Sequence, residues 1–265
     1  MDFTSNVSRN IRLNILKMIY NVKSGHIGSS FSTVEILISL YFYVMNSKID
    51  KFVLSKGHAA PALYSVLYQK NILFQKDLDG FRKINGTTQG HPDMLKTKGV
   101  DMSSGSLGNG LSAAVGFAIG QKYFQKQGKT YVLMGDGEIQ EGIVWESALI
   151  ASNYKLSNLI VILDRNHLQI NGFVENVMNL GDLKLKWNSF GWNVHWVKNG
   201  HSISDIVSTL NNLENNGAPT IIITETIKGK GVSFMENKAD WHSKIPTNEE
   251  YKNALHEIEG NINEK

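Results

Sequence analysis

Two short polar motifs in this chain carry oxygen atoms that could bind a divalent metal ion. Gly135-Asp136-Gly137 follows the apolar run Tyr131–Met134, and Asn166 follows shortly after a second apolar run, Asn158–Leu163. Each run predicts a buried strand, and a right-handed strand–helix–strand crossover would place both strand ends at the same edge of a parallel sheet. We therefore expect Asp136 and Asn166 to meet there. Carboxylate and amide oxygens suit Mg²⁺ or Ca²⁺, and Mg²⁺ commonly bridges such oxygens to the phosphates of a ligand.

The glycines on either side of Asp136 point to a phosphate ligand. Glycine lets backbone N–H groups approach a phosphate closely, and Glu138–Asn153 predicts a helix whose N-terminus would favour negative charge. A strand-to-helix turn without any ligand would show the same three residues, so Gly135-Asp136-Gly137 alone leaves both interpretations open. Asn166, placed at the end of the next predicted strand, favours the phosphate and metal interpretation.

Four of the eight histidines lie in glycine-flanked loops: His26, His58, His91 and His242. A single loop histidine more often has a structural role. Four in similar contexts favour a functional site, because imidazole donates and accepts hydrogen bonds and shuttles protons near pH 7. Ordinary solvated or core roles are expected for the other four, which are His167, His195, His201 and His256.

Segments with strand and helix periodicity alternate along the chain, which indicates a parallel sheet covered by helices on both faces. The predicted strands are 50–54, 131–134, 158–163, 192–197 and 220–225. The predicted helices are 5–23, 32–44 (opened by a capping box at Ser32–Glu35), 59–70, 111–125, 138–153, 181–190 and 203–215, with a short one near the C-terminus. Gly25–Ser29 is predicted to be a loop. With 265 residues and no internal repeat or linker, a single α/β domain over 1–265 is expected.

Composition and charge exclude several classes of protein. A net charge of +3 without a run of basic residues gives no support for nucleic-acid binding. The absence of cysteine excludes disulfides, thiolate catalysis and cysteine-ligated metals. Ile36–Met45 is too short to span a bilayer, and Met1–Asn10 lacks the apolar block of a signal peptide. We expect a cytoplasmic protein with neither nucleic-acid nor membrane partners.

The run that begins at Gly135 resembles the thiamine-diphosphate signature, in which Gly-Asp-Gly is followed one strand later by Asn. The extended run Gly135–Glu146, Gly-Asp-Gly-Glu-Ile-Gln-Glu-Gly-Ile-Val-Trp-Glu, is similar to that of transketolases. Further segments that resemble this family are Ser24–Ser29, Ser55–Ala59, Gly90–Pro92, Gly105–Gly108, Thr226–Val232 and Trp241–His242. The resemblance covers nearly the whole chain and implies the thiamine-diphosphate-binding fold. The chain departs from the family pattern at Ile27, where proline is usual, and at Ser243, where glycine is more frequent.

The resemblance implies thiamine diphosphate and a divalent metal as cofactors, and it assigns roles to individual residues. The metal (Mg²⁺, or Ca²⁺ or Mn²⁺ in its place) would be held by Asp136, Asn166 and the main-chain carbonyl of Leu168. The other cofactor-binding residues would be His58, Gly105, Leu107, Gly135, Gly137, Glu138 and His242. The residues that would face the sugar or relay protons are His26, His91 and His242. Glu141 and Glu146 match acidic residues at the family's subunit interface, although a solvated helix face would look the same.

The resemblance also implies a partner. In transketolases a glutamate of a second, pyrimidine-binding domain contacts the aminopyrimidine of the cofactor, and arginines of later domains grip the sugar phosphate. This sequence contains neither domain, so we expect a separate C-terminal subunit, with two copies of each chain in the assembly. The implied reaction is reversible transfer of a two-carbon ketol unit from a ketose phosphate to an aldose phosphate, as in the pentose phosphate pathway.

Three alternatives remain open. The chain could be the α subunit of another thiamine-diphosphate enzyme, either a 2-oxo-acid dehydrogenase or a ketol transferase for an unusual sugar. The four loop histidines and Glu138–Gly142 favour transketolase, because sugar hydroxyls need such hydrogen-bonding partners and 2-oxo acids do not. A non-catalytic cofactor-binding subunit is disfavoured by the intact Asp136 and Asn166. A Rossmann-type oxidoreductase lacks its fingerprint, since Gly105–Gly110 has the spacing G-x-x-G-x-G and no strand immediately before it.

Overall fold

A computed structural model describes residues 3–260 of the chain. The strands are β1 (Lys51–Leu54), β2 (Thr130–Gly135), β3 (Leu159–Arg165), β4 (Leu168–Gln169), β5 (Gly172–Phe173), β6 (Asn193–Val197) and β7 (Thr220–Glu225). Five of them form a parallel sheet in the order β1-β2-β3-β7-β6, and β4 pairs with β5 in a separate antiparallel hairpin. The predicted parallel sheet is confirmed. The ends of the single domain predicted for 1–265 lie outside the described residues.

Helices cover both faces of this sheet. They are α1 (Phe3–Val22), α2 (Ile27–Phe31), α3 (Val34–Ile38), α4 (Ala60–Gln69), α5 (Gln75–Asp79), α6 (Asn109–Tyr123), α7 (Gly142–Asn153), α8 (Val174–Val177), α9 (Leu183–Ser189), α10 (Ile203–Asn211) and α11 (Asn248–Gly260). Side chains that alternate along the strands pack into two cores: Leu133 and Ile162 with α1, α3 and α4, and Val132 and Val161 with α6, α7 and α9. Burial on both faces explains why these strands read as continuous apolar runs. Within residues 3–260, no helix is long and apolar enough to cross a membrane.

The carboxyl ends of the central strands bring the two predicted motifs together. Gly135, the last residue of β2, lies opposite Asp164 of β3, which in turn lies opposite Thr224 of β7. Asp136 and Asn166 are the first residues beyond the ends of β2 and β3. Ligands of open parallel sheets bind in the crevice beyond these ends.

The short helices α2 and α3 differ from the prediction. α2 begins at Ile27, inside the predicted loop, and no side-chain bond caps the start of α3. Ser32 instead donates a hydrogen bond to Asp164 at 2.7 Å, and Glu35 forms an ion pair with Arg12 at 2.7 Å. The predicted capping box is therefore wrong, because both of its side chains have partners elsewhere in the fold.

The helix predicted over Glu138–Asn153 is also interrupted. A 3₁₀ turn spans Gly137–Gln140, and the α-helix begins only at Gly142. The Glu138 carboxylate accepts a hydrogen bond from the backbone N–H of Gly135 at 3.1 Å, which folds this side chain back onto the end of β2. The cavity beyond the strand ends is therefore bordered by a 3₁₀ turn where we expected the N-terminus of an α-helix.

Candidate active site

A cavity of about 390 Å³ lies beyond the carboxyl ends of the central strands, and every site residue predicted from the sequence lines it. These residues are His26, His58, His91, Gly105, Leu107, Gly135, Asp136, Gly137, Glu138, Asn166, Leu168 and His242. Two larger grooves, of about 520 and 580 Å³, contain none of them. The chemistry of the lining, and not its volume, makes this cavity the candidate site. The role of each residue stays a prediction.

Asp136 supplies a buried carboxylate to the cavity. Its two oxygens accept hydrogen bonds from the backbone N–H groups of Gly137 at 2.8 Å and His167 at 2.6 Å. Burial, followed by the nearby charge of Asp164, raises the pKa of Asp136 to about 6. Among residues 3–260, no Lys, Arg or His side chain lies within ion-pair distance of it. A buried carboxylate in this state is stabilised by a cation at close range.

The turn at Asn166-His167-Leu168 adds two more oxygens beside Asp136. The Asn166 side-chain oxygen accepts the N–H of Leu168 at 3.2 Å, and the Leu168 carbonyl accepts a hydrogen bond from the ammonium of Lys228 at 3.1 Å. One carboxylate, one amide oxygen and one carbonyl form a set of hard donors that fits Mg²⁺. The described part of the chain holds no cluster of three His, Cys, Asp or Glu side chains arranged to bind a metal. This mixed oxygen set is therefore where a divalent metal would be held.

His167 and Arg165 support this turn from outside the cavity. His167 adopts a left-handed backbone conformation with φ of +62°, and its ring contacts Glu225 at 2.6 Å and Glu175 at 3.3 Å. Arg165 pairs with the same two carboxylates, with Glu175 at 3.1 Å and with Glu225 at 3.4 Å. The hydrogen bond with Glu225 raises the pKa of His167. We expected an ordinary role for His167, but its backbone N–H holds the Asp136 carboxylate.

Two buried lysines that the sequence analysis did not single out also line the cavity. Lys56 and Lys228 are each 1 % exposed. Lys56 forms an ion pair with Asp164, whereas the Lys228 ammonium contacts only neutral groups, the Leu168 carbonyl and the ring Nδ1 of His242, both at 3.1 Å. Burial, and then the charge of Lys56, lowers the pKa of Lys228 to about 8. A buried ammonium without an anionic partner favours an anionic ligand. Both lysines lie inside segments that resemble the family, so the signal was present in the sequence.

Asp164 connects the metal-ligand turn to the buried lysines. This fully buried carboxylate accepts hydrogen bonds from Ser32 at 2.7 Å and from the Asn166 amide nitrogen at 3.2 Å. It also accepts a hydrogen bond from Thr226 and pairs with Lys56. Although burial opposes it, the Lys56 ammonium holds the pKa of Asp164 below its usual range. Since the Asn166 nitrogen donates to Asp164, the amide oxygen is oriented away from it.

Glu138 lines the cavity, but internal partners occupy its carboxylate. It accepts hydrogen bonds from the backbone N–H of Gly108 at 2.8 Å and of Gly135 at 3.1 Å, and from the Ser55 hydroxyl. Burial raises the pKa of Glu138. Gly108 has φ of +82°, and a side chain there would approach Ile143 to 2.7 Å, so only glycine fits. Glu138 thus holds the loop that carries Gly105 and Leu107 in place.

The four loop histidines form one cluster at the other end of the cavity. The ring centre of His26 lies 5.3 Å from that of His58, 6.3 Å from His91 and 5.1 Å from His242. Burial is the main cause that lowers the pKa of all four, to about 4 for His26 and about 3 for His242. They are therefore neutral near pH 7 and do not repel one another. Within residues 3–260 the buried Nδ1 of His26 has no hydrogen-bond partner, which leaves it able to bind a ligand hydroxyl.

The two acidic residues assigned to a subunit interface are exposed. Glu141 and Glu146 both lie on the surface in this chain, and Glu141 also borders the cavity. Ile170, on the β4–β5 hairpin, is 67 % exposed and lines the cavity as well. The rim of the site therefore carries both acidic and apolar side chains.

Comparison with known proteins identifies relatives over the whole described length. Residues 4–261 match the family described as transketolase, thiamine diphosphate binding domain. One of the two chains of the apulose-4-phosphate transketolase of Phocaeicola vulgatus is 40% identical over 95% of this chain and 92% of its own length. The 6-deoxy-6-sulfo-D-fructose transketolase subunit SqwG of a Clostridium species is 39% identical over 94% of this chain and 94% of its own length.

Solved structures give the same result for the fold. The transketolase from Leishmania mexicana superposes with a TM-score of 0.90 at 29% sequence identity. The match covers 98% of this chain but 42% of that chain. The predicted thiamine-diphosphate-binding fold is confirmed, and the chain spans less than half the length of this structural relative.

Proposed function

The chain belongs to the transketolase family, and we propose that it is the diphosphate-binding subunit of a split, cytoplasmic transketolase. The Phocaeicola relative, which is itself named as one subunit of its enzyme, matches over nearly its full length, at 92%. By contrast, the chain covers 42% of the Leishmania transketolase. Both comparisons support a subunit that works with a second chain.

The proposed reaction is reversible transfer of a two-carbon ketol unit from a ketose phosphate to an aldose phosphate. One observation carries the proposal: a single cavity joins hard oxygen ligands and buried lysines at one end to four neutral imidazoles at the other. The first end suits a metal-bound diphosphate and the second suits the hydroxyls of a sugar. A 2-oxo acid offers no row of hydroxyls for such a cluster.

Thiamine diphosphate, when bound, supplies the electron sink that ketol transfer requires. Asp136, Asn166 and the Leu168 carbonyl would hold Mg²⁺, or Ca²⁺ or Mn²⁺ in its place. The diphosphate would lie against Lys228, His58 and His242, because the His242 ring contacts both the Lys228 ammonium and the His58 ring.

The sugar would meet the histidine end. Neutral His26 and His91 donate or accept hydrogen bonds to sugar hydroxyls and can take up or release a proton there, because their pKa values lie below neutrality. His242 lies between both ends, with its ring centre 5.1 Å from that of His26 and its Nδ1 3.1 Å from the Lys228 ammonium. It is placed to contact both the diphosphate and the sugar.

A partner chain would provide what the pyrimidine end of the cofactor and the sugar phosphate need. We propose an assembly of two copies of each chain, with the partner covering the rim at Glu141 and Ile170. Both side chains border the cavity and are exposed in this chain. Burial of an exposed isoleucine and pairing of an exposed carboxylate at a contact between chains would both stabilise the assembly.

The sugar pair has a specific second candidate. Two relatives, at 40% and 39% identity, are named for apulose-4-phosphate and for 6-deoxy-6-sulfo-D-fructose. An unusual ketose is therefore a reasonable donor for this chain also, within the same reaction class.

The test is to purify the tagged chain from its host with thiamine diphosphate and Mg²⁺, identify what co-elutes, and assay the complex. The donor panel includes xylulose 5-phosphate, apulose 4-phosphate, 6-deoxy-6-sulfofructose and a 2-oxo acid. We expect a stoichiometric partner and ketol transfer from one of the sugars. Turnover of the 2-oxo acid alone would assign the chain to a 2-oxo-acid dehydrogenase. Cofactor binding without turnover of any donor would indicate a non-catalytic subunit.

A further inference from the structure

A buried cluster of charged groups lies next to the cavity without lining it. The Glu35 carboxylate, 6 % exposed, accepts hydrogen bonds from both terminal nitrogens of Arg12 at 2.7 and 3.0 Å. It also accepts from the Ser8 hydroxyl at 2.7 Å and from Nδ1 of His201 at 2.8 Å. Although burial opposes it, the Arg12 guanidinium holds the pKa of Glu35 well below its usual range. The cluster therefore contains an ionised, fully hydrogen-bonded carboxylate.

Two members of this cluster each make one further bond, and both bonds go to the same loop. The Arg12 Nε donates to the carbonyl of Lys230 at 2.8 Å. The Nε2 of His201 accepts the backbone N–H of Ile227 at 2.8 Å. These two backbone groups lie on either side of Lys228. The cluster thus grips the loop on both sides of the lysine that reaches into the cavity.

The bond from Ile227 also determines the tautomer of His201. Because Nε2 accepts a backbone N–H, the ring proton must be on Nδ1, where it is donated to Glu35. A neutral imidazole of this kind acts as a fixed spacer between Glu35 and the loop. The arrangement parallels a carboxylate–histidine pair that orients a ligand from behind it.

The loop itself leaves little room for an alternative position. Gly231 has φ of +98°, and a side chain there would approach the Arg12 Nε to 2.9 Å. Gly229 donates its N–H to the carbonyl of Gly28, two residues after His26. The loop is therefore held against both α1 and the helix that follows His26, and small movements of its backbone would move the Lys228 ammonium.

We propose that Glu35, Arg12 and His201 are positioning residues that set where the Lys228 ammonium lies in the cavity, and thereby the affinity for the diphosphate of the cofactor. This inference rests on the proposed function, because it assigns Lys228 to the diphosphate. A buried ion pair alone adds little net stability. Two outward bonds that flank Lys228 are what distinguish this cluster from a purely structural pair.

His201 allows a matched pair of substitutions. In His201→Asn the side-chain amide can replace Nδ1 and keep the bond to Glu35, but it does not reach the N–H of Ile227. In His201→Gln the longer side chain can replace Nε2 and keep the bond to Ile227. Each variant loses about one hydrogen bond, so a merely structural role predicts similar effects of both. His256→Asn, on the exposed side of α11, is the control.

The measurement is the Kd of thiamine diphosphate with Mg²⁺ for the complex of both subunits. We expect His201→Asn to raise Kd about tenfold, since one loop-holding bond is lost, and His201→Gln to raise it less than about threefold. In a Lys228→Met background, His201→Asn should change Kd by less than about twofold, because its effect acts through Lys228. Equal effects of the two variants, or additivity with Lys228→Met, would overturn the proposal.

A second readout does not need the cofactor. The rate at which acetic anhydride modifies Lys228 at one fixed pH, followed by mass spectrometry, reports where its ammonium lies. We expect His201→Asn to change this rate severalfold and His201→Gln and His256→Asn to leave it nearly unchanged. An unchanged rate in His201→Asn would contradict the proposal. Because neither readout depends on ketol transfer, an inactive enzyme would count against the proposed function alone.

Discussion

At one end of the cavity the buried side chains are charged, whereas at the other end they are buried and neutral. Lys56 and Asp164 form an ion pair in which both side chains are almost fully buried. His26 and His242, by contrast, have pKa values lowered to about 4 and about 3, chiefly by burial, and carry no charge near pH 7. The same physical factor, removal from water, acts on both ends. It is offset by a paired charge at one and by neutralisation at the other.

This difference suits the two ends to different tasks. Charges that are fixed by neighbours can hold a charged, unreacting part of a ligand without titrating in the working range. Neutral imidazoles can exchange hydrogen bonds and protons with a part of the ligand that reacts. We therefore expect substitutions at the charged end to change stability and cofactor affinity, and substitutions at the histidine end to change turnover.

The largest expected effect is from Asp164→Asn. It leaves the Lys56 ammonium buried without its partner, which costs about 3–5 kcal/mol when a buried pair is broken. Urea unfolding of the cofactor-free protein measures the change. Glu250→Gln, which removes an exposed ion pair with Lys244, is the control and should cost under about 1 kcal/mol. A loss of similar size in both variants would show that the charged end is not held together as described.

Asp136→Ala should have the next largest effect. It removes the only carboxylate among the proposed metal ligands, so we expect thiamine-diphosphate affinity in Mg²⁺ to fall at least about a hundredfold, or about 2.7 kcal/mol. Titration calorimetry with and without Mg²⁺ measures it, with the exposed Glu214→Ala as the control. Full affinity in Asp136→Ala would remove the metal assignment.

His26→Asn should sharpen the comparison in the opposite direction. It removes an imidazole from the sugar end and leaves the lysines and metal ligands in place. We expect kcat to fall about tenfold or more, while the Kd of thiamine diphosphate changes less than about twofold. Steady-state kinetics of the two-subunit enzyme and the binding titration give both values. A large rise in Kd with unchanged kcat would mean that the two ends are not separate in function.

The smallest effect is the pH dependence of stability that the histidines produce. In the unfolded chain a histidine has a pKa of about 6.5, so it takes up a proton as the pH falls from about 7 to 6, whereas folded His242 stays neutral. The unfolded state then binds more protons, and the free energy of unfolding falls. The contribution of His242 is fully present above pH 6.5 and is lost towards its folded pKa of about 3.

His242→Asn should therefore flatten this slope by under about 1 kcal/mol over that unit of pH. The raised pKa of Asp136, about 6, acts in the opposite direction below that pH, so the difference between wild type and variant isolates the histidine. Urea unfolding of the cofactor-free protein at several pH values measures it. His256→Asn, with an exposed ring, should keep the wild-type slope. A parallel slope in His242→Asn would show that this ring is not held neutral.

Much of the fold was predictable because its signals are local. The runs Tyr131–Met134 and Asn158–Leu163 became the centres of β2 and β3, and Thr220–Glu225 is β7. Strands buried on both faces are continuous apolar runs, and this pattern does not depend on distant residues. The capping box at Ser32–Glu35 failed for the opposite reason. Partners 23 residues and more away compete for both of its side chains.

The candidate site was predictable wherever a functional residue lies in a recognisable segment. All twelve predicted residues line one cavity, although their roles remain to be measured. The buried lysines were missed because a lysine in a sequence is by default solvated. His201 was expected to be ordinary, and only the fold shows it between Glu35 and the Lys228 loop.

The sequence by itself determined the parallel sheet, the positions of Asp136 and Asn166 at neighbouring strand ends, and the family. These follow from apolar periodicity and from short motifs, which a linear chain displays directly. Only the tertiary structure decided which charges are buried and what each is paired with. Burial and pairing depend on residues such as Arg12 and Lys230, which are 218 positions apart in the chain and 2.8 Å apart in the fold.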